Sequence, residues 1–290
     1  MSGRSESTVG LFYTTGAFVI WGLAPLFWKL LAHVPSTQLV AYRILCSGGF
    51  AFLLLAWRRE LGTLRELLDS RRTVTMMLLS TALIGANWFL FIWAVNSGQI
   101  LAASLGYYIN PLINVVLGMA FLGERLRRLQ AISVGLAVMG VTILTVGYGE
   151  LPWLSLVLAG TFGLYGLVRK TVAASPEQGL AIETWLLSPL MLAYILQLDD
   201  PAFRQISLST DVLLVLTGAI TAVPLLFFVH GARRLPLATV GILQYLAPTG
   251  QFLLAVFVFK EPFALPQVLA FALIWTALAV FTYDARRHWE

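Results

Sequence analysis

Tyr107–Gln130 reads YYINPLINVVLGMAFLGERLRRLQ, and Gln244–Gln267 reads QYLAPTGQFLLAVFVFKEPFALPQ. The two align without a gap at an offset of 137, so that Tyr108 meets Tyr245, Pro111 meets Pro248, Glu124 meets Glu261 and Gln130 meets Gln267. Leucine matches carry little weight in an apolar chain, but a proline, a glutamate and a glutamine recurring in fixed register mark an internal repeat. A second pairing, at an offset of 141, sets Gly22, Leu23 and Lys29 of WGLAPLFWK against Gly163, Leu164 and Lys170 of FGLYGLVRK. The chain thus divides into two halves, 1–147 and 148–290.

Both halves are too apolar for water. The 290 residues are 59% hydrophobic and 11% charged, with a mean hydropathy of +0.83, whereas a soluble domain carries about 25% charged residues. From Thr73 to Gly123, a run of 51 residues, there is no Asp, Glu, Lys, Arg or His. Such a run fits two bilayer crossings, each taking about 20 apolar residues that rise 1.5 Å apiece. Hydropathy places ten spans, at 9–31, 36–57, 73–95, 99–122, 128–147, 151–169, 178–198, 212–232, 236–259 and 263–283. The expected fold class is an all-α polytopic membrane protein of ten transmembrane helices, five to each half. Because five is odd, the second half enters the bilayer inverted.

Little chain remains outside the spans, roughly seven residues for each loop or tail at that span length. No soluble catalytic or nucleotide-binding domain fits there. GLYGLVRKT at Gly163–Thr171 lacks the glycine that a phosphate loop places before its lysine. An intramembrane prenyl transferase needs two acidic clusters, but Asp199–Asp200 stand alone in a loop, and the GxSxG turn of a rhomboid-like protease is absent. The single Cys46 lies inside a span, which leaves no disulfide framework and no cysteine metal site. The chain is expected not to be an enzyme and to hold no cofactor or metal.

Charge fixes the direction. With a cytoplasmic N-terminus, inner loops and tails hold 15 of the 19 basic residues, including Arg58, Arg59, Arg65, Arg125, Arg127, Arg169, Lys170, Arg233 and Arg234. Lys29, Arg204 and Lys260 fall outside, and Arg43 lies within a span. Loops rich in Lys and Arg stay on the cytoplasmic side, so both termini are expected there. Dropping the short sixth span would carry the later clusters across, which favours ten spans over nine. The same distribution explains the pI of 9.6. Arginines spread along inner loops meet anionic lipid rather than nucleic acid, and the expected partners are membrane lipid and a small-molecule substrate. A monomer is compatible with this reading.

Two inverted halves are a common plan of secondary transporters, with the substrate site near the bilayer midplane where the halves meet. Exchanging which half is open gives alternating access. The expected function is a permease for small polar or amphipathic organic solutes; a passive facilitator or exchanger without ion coupling is the alternative. Pro111 and Pro248 fall mid-span and deprive the carbonyls of Tyr107 and Gln244 of their usual donors, marking paired hinge candidates. Tyr107, Asn110 and Asn114 recur at i, i+3 and i+7 on one helical face, with Gln244, Tyr245 and Gln251 around the matching face. Carboxamides this deep need partners or substrate, and Asn87 and Trp88 are expected to join them. Trp21, Trp28 and Trp93 are deep enough to stack on a substrate. Ionisable groups inside or at the rims of spans are pathway or coupling candidates. These are Lys29, Arg43 about 10 Å deep, Glu183 and His230. Glu183 and His230 could carry a proton, since burial raises a carboxyl pKa and histidine titrates near neutrality. Glu124 and Glu261, at span ends, are expected to anchor loops or caps.

WGLAPLFWK at 21–29, YYINPLINVVLGMAFLGERLRRLQ at 107–130 and LQYLAPTGQFLLAVFVFKEP at 243–262 resemble the RarD family, within the EamA group of the drug/metabolite transporter superfamily. The resemblance covers nearly the whole chain. It implies two inverted EamA-type repeats in a bacterial inner-membrane permease associated with export of drugs or metabolites. It also implies a central cavity lined by spans 1, 3, 4, 6, 8 and 9, here including Trp21, Asn87, Tyr107, Asn114, His230, Gln244 and Gln251. Tyr42 stands where many relatives are expected to have histidine, which departs from a proton role at that position.

Overall fold

The computed structural model describes residues 3–96, 100–148, 153–258 and 265–289. The described residues form α1 (Gly3–Leu30), α2 (Ser36–Trp57), a short α3 (Leu64–Leu68), α4 (Arg71–Asn96), α5 (Ile100–Leu122), α6 (Arg128–Tyr148) and α7 (Trp153–Thr171). There follow α8 (Pro176–Leu196), α9 (Leu208–Ala232), α10 (Leu237–Gln244), α11 (Leu246–Leu253) and α12 (Leu265–Trp289). Nine segments among them are long and apolar enough to cross a membrane, the run from Leu237 to Val258 counting as one. The tenth long rod, α7, falls short because Arg169 and Lys170 occupy its last turn.

Local sequence explains where these helices begin and end. At the start of α8, Ser175 accepts from the Gln178 amide and the Gln178 side chain accepts from the Ser175 amide, with Pro176 at the first helical position. This is a capping box. Ser207 caps α9 through the Thr210 amide. At the end of α5, Gly123 takes φ +65° and the Glu124 amide reaches back to the Gly118 carbonyl at 3.1 Å. That i→i−6 bond around a left-handed glycine swings the chain sharply back. It aims the Glu124 carboxylate at α10, where it accepts from the amides of Leu237 (2.5 Å) and Ala238 (2.9 Å). The first turn of α10 has no side-chain cap of its own, so a carboxylate from α5 satisfies it. Glu261, its repeat mate, lies outside the described residues.

The paired prolines behave differently. α5 runs unbroken through Pro111, while the ninth span breaks at Tyr245, three residues before Pro248. There the Tyr245 amide turns to the Ile242 carbonyl, the tighter i−3 bond. Only the second half thus has an interruption visible in its helix.

The principal packings join a helix before Tyr148 to one after Trp153: α1 with α9 and α11, α2 with α8 and α9, α4 with α7 and α8, α5 with α7 and α10, and α6 with α12. Exchanging spans 1–5 for 6–10 maps this set onto itself, yet the two sets of helices interleave, and apolar clusters draw residues from both. Small residues let the backbones touch. A Cβ on Gly250 would lie 3.0 Å from the Gly22 Cα, and one on Gly218 would lie 2.6 Å from the Cys46 carbonyl carbon and oxygen. Gly218→Ala is therefore expected to lower the melting temperature of purified protein, since overpacking against backbone costs about 1–3 kcal/mol. Gly49→Ala, whose Cβ would meet nothing within 4 Å, should be neutral or slightly stabilising through helix propensity. Equal melting shifts for the two variants would show that the α2–α9 crossing is not that close.

Candidate functional site

A cavity of about 550 Å³ lies between the helices. It is lined from α1 (Phe18, Trp21, Trp28, Lys29), α2 (Ser36, Val40, Arg43), α4 (Asn87, Trp88), α5 (Tyr107), α7 (Phe162), α9 (Thr221, Leu225), α10 (Gln244) and α11 (Pro248, Gln251). Lys29 is exposed and Phe18 wholly buried, so the cavity leads inward from the Lys29 end of the bundle. Its floor is aromatic. Phe228 packs against Phe18, Trp21, Phe162 and Tyr165 with ring centroids 5.3–6.5 Å apart.

Polar lining groups are held by bonds across helices. The Asn87 amide donates to the Leu158 carbonyl and to the Thr161 hydroxyl, each at 2.9 Å, fixing α4 against α7. Gln251 donates to the Trp21 carbonyl at 3.3 Å, across the α1–α11 crossing. Gln244 accepts from Asn114 at 2.9 Å. Arg43 lies beneath two indoles, with its guanidinium carbon 5.0 Å from the Trp88 ring centroid and 5.7 Å from that of Trp28. Its Nε is buried without a hydrogen-bond partner.

Of the residues expected at a binding site, Trp21, Asn87, Trp88, Tyr107, Gln244 and Gln251 surround this cavity, together with Lys29, Arg43 and Pro248. Asn110, Asn114, Tyr245 and Pro111 do not line it. Asn110 donates to the Ala159 carbonyl at 2.6 Å, Asn114 is consumed by Gln244, and the Tyr245 hydroxyl donates to the Tyr108 carbonyl at 3.1 Å. Pro111 faces α10 so closely that a Cβ on Gly241 would lie 2.5 Å from its carbonyl oxygen. These side chains join helices. The second span, absent from the expected lining, contributes Ser36, Val40 and Arg43.

His230 and Glu183 also lie off the cavity, in a polar plug below its aromatic floor. Arg169, counted with the loop charges in the sequence, is 0% exposed and sits 3.3 Å from Glu183 Oε1, itself 2% exposed. The Ser80 hydroxyl and the Tyr165 hydroxyl donate to the same carboxylate. Farther along, Glu177 Oε1 accepts from Arg58 at 2.8 Å and lies 3.1 Å from His230 Nε2, whose ring stacks on Tyr13. Lys170 donates to the Ala232 and Leu235 carbonyls, and Arg233 to those of Arg169, Val172 and Ala174. Basic side chains thus close the helix C-termini, where carbonyls lack partners. Arg169 follows directly on the apolar run that ends at Val168 and stands beside Lys170, so by sequence alone it reads as a loop charge. Nothing in the spacing pointed to Glu177 or to the phenylalanine floor.

Breaking a fully buried pair is costly because it strands a charge. Glu183→Leu is expected to destabilise the purified protein by about 3–5 kcal/mol, while Arg169→Met combined with Glu183→Leu recovers most of that loss. Melting curves of the two single variants and the double variant check this. A double variant as unstable as the sum of the singles would rule out the pairing.

Residues 8–146 match the EamA-like transporter family. An uncharacterized transporter of Bacillus subtilis, YojE, is 45% identical over 97% of this chain and 96% of its own. An uncharacterized transporter of Pseudomonas aeruginosa is 47% identical over 93% and 92%. The protein RarD of Escherichia coli is 43% identical over 97% and 96%. A solved chain described only as "Crystal structure of protein" superposes with a TM-score of 0.74, at 22% identity and covering 99% of each chain, which shows a shared fold. With relatives this similar over nearly its full length, and a bundle of apolar helices around a central cavity, this multi-pass membrane protein belongs to the RarD family of the EamA group in the drug/metabolite transporter superfamily.

Proposed function

We propose that the chain is a secondary transporter of small organic solutes, working by alternating access between two inverted repeats, 1–147 and 148–290. One observation carries the reading. The cavity lies among helices of both halves and reaches the Lys29 end, while ion pairs and aromatic packing between those helices shut the other end. A pore would be open along its length, and a packed bundle would have no cavity of this size. The symmetric set of helix packings supports a rearrangement in which the Lys29 end closes as the Arg58 end opens. Trp21, Asn87, Trp88, Tyr107, Gln244 and Gln251 serve as the binding surface. Asn110, Asn114 and Tyr245 hold the helices that carry it, and Pro111 and Pro248 are the hinges. Glu183 and His230 belong to the pathway as parts of the plug that must separate. The Arg58 end faces the cytoplasm of a bacterial inner membrane, by the excess of basic loops there.

A passive facilitator or exchanger is the second reading. It is favoured by the absence of any carboxylate from the cavity lining among the described residues, and by Arg169 already neutralising Glu183.

Purified protein in liposomes is expected to support solute counterflow, and Gln251→Leu and Asn114→Leu are each expected to reduce it at least about tenfold, the effect of losing one buried hydrogen bond of about 1.5 kcal/mol. Full transport by both variants would refute the site. An imposed pH gradient that drives accumulation, lost in Glu183→Gln, would favour proton coupling over the second reading.

Orientation is tested separately in a Cys46→Ala background. On intact cells, an impermeant thiol reagent should label Leu39→Cys, and should label Arg71→Cys only after the membrane is opened. The reverse pattern would invert the topology.

A further inference from the structure

We infer that the cavity selects organic anions, holding a carboxylate or similar oxyanion against Arg43 and an apolar body against the aromatic floor. The inference deepens the transport reading of the same cavity and rests on it.

The buried and half-buried cations of this bundle are matched almost everywhere. Arg169 has Glu183, Arg58 has Glu177, Arg127 has Asp284 and Arg234 has Glu6. Lys170 and Arg233 are spent on carbonyls. Among the described residues, no carboxylate pairs with Arg43. The rings of Trp28 and Trp88 offer it their π faces, which attract a cation. A face-on indole leaves the in-plane N–H donors of a guanidinium unused, and those donors form a fork that fits a carboxylate bidentately. A cation inside the bilayer without a counter-charge is costly, so the arrangement is complete only when a mobile anion enters.

The rest of the cavity says what the anion carries. Its volume far exceeds that of an inorganic ion, and its floor of Phe18, Trp21 and Phe162 is apolar and aromatic. Gln244 and Gln251 add carboxamide groups to the lining. Among the described residues of this lining, an amine finds no acidic partner. The chemical class is therefore an amphipathic organic monoanion of modest size.

Three probes with one body separate charge from shape: phenylacetate, phenylacetamide and phenethylamine, titrated calorimetrically into the purified full chain. Phenylacetate is expected to bind at least about tenfold tighter than phenylacetamide, as for one charge-assisted hydrogen bond, with phenethylamine weakest. Arg43→Gln should bring acid and amide to equal affinity, and Arg43→Lys, which keeps the charge but loses the fork, should retain part of the preference. Melting curves establish that both variants are folded. Equal binding of acid and amide, tighter binding of the amine, no binding of phenylacetate, or a preference that survives Arg43→Gln would each overturn the inference. Liposome counterflow with the same probes keeps the two readings apart. Exchange of the amide or amine without the acid leaves transport standing and removes anion selectivity, whereas absence of counterflow for every solute, with phenylacetate still bound through Arg43, removes transport alone.

Discussion

Hydrocarbon supplies no hydrogen bonds, so a polar group that this chain carries into the bilayer needs a partner on the chain or in a cavity. The partners are found at helix crossings. Asn110 reaches the Ala159 carbonyl, Asn87 that of Leu158, Trp185 that of Gly48, and Gln251 that of Trp21. Each bond joins a helix before Tyr148 to one after Trp153. Lipid tails are as apolar as leucine, so burial of apolar side chains cannot by itself choose which helices meet. Carboxamides, an indole and glycines at the contacts make that choice. The interleaving of the halves follows from where these few polar groups can be satisfied.

Within this frame the two deeply placed arginines, Arg43 and Arg169, have opposite surroundings. Arg169 is enclosed by Glu183 and by carbonyls at the start of α8, where Arg169 Nη2 reaches that of Pro176 at 3.0 Å. A guanidinium so surrounded is structural: removing its carboxylate leaves a charge with nowhere to go. Arg43 has aromatic faces instead of acids, and it borders a cavity. The same side chain, with the same burial problem, is solved once by the protein and once left for something that comes and goes.

How much of this the sequence discloses depends on the kind of signal. Helix positions were legible because apolar runs of fixed length have few alternatives. The span expected at 36–57 is α2 to the residue, and most others agree within a few residues. Trp21, Asn87, Gln244 and Gln251 were legible as central because a polar or amphipathic side chain at mid-span has to face inward. Which inward-facing amide meets the cavity and which meets another helix was not, since Asn114 and Gln251 satisfy the same rule. Only the position of Gln244, 130 residues from Asn114 in sequence and 2.9 Å in space, decides it. Arg169 was hidden by its neighbour: beside Lys170 it reads as a loop charge, but the helix runs on to Thr171 and turns it inward. The break at Tyr245 and its absence at Tyr108 were equally hidden, because a mid-helix proline specifies a lost bond and leaves the backbone two ways to absorb it.

The register of the repeat shows where the two ends of the bundle differ. At the offset of 141, Arg169 stands opposite Trp28 and Glu183 opposite Tyr42. The ionic core of the closed plug thus has aromatic side chains at the mirror positions. If the halves exchange roles, closure at the Lys29 end cannot copy the Arg169–Glu183 pair and must rest on apolar contact around Trp28. That contact would close over Arg43, which is tolerable with an anion against the guanidinium and expensive without one. A bound anion then does more than occupy the site, because it removes the electrostatic cost of the closed form on that side. An empty cavity keeps that cost, so a carrier built this way returns more readily loaded than empty. On the proposed anion-binding reading this would be the behaviour of an exchanger, arising from one missing carboxylate rather than from a dedicated coupling residue.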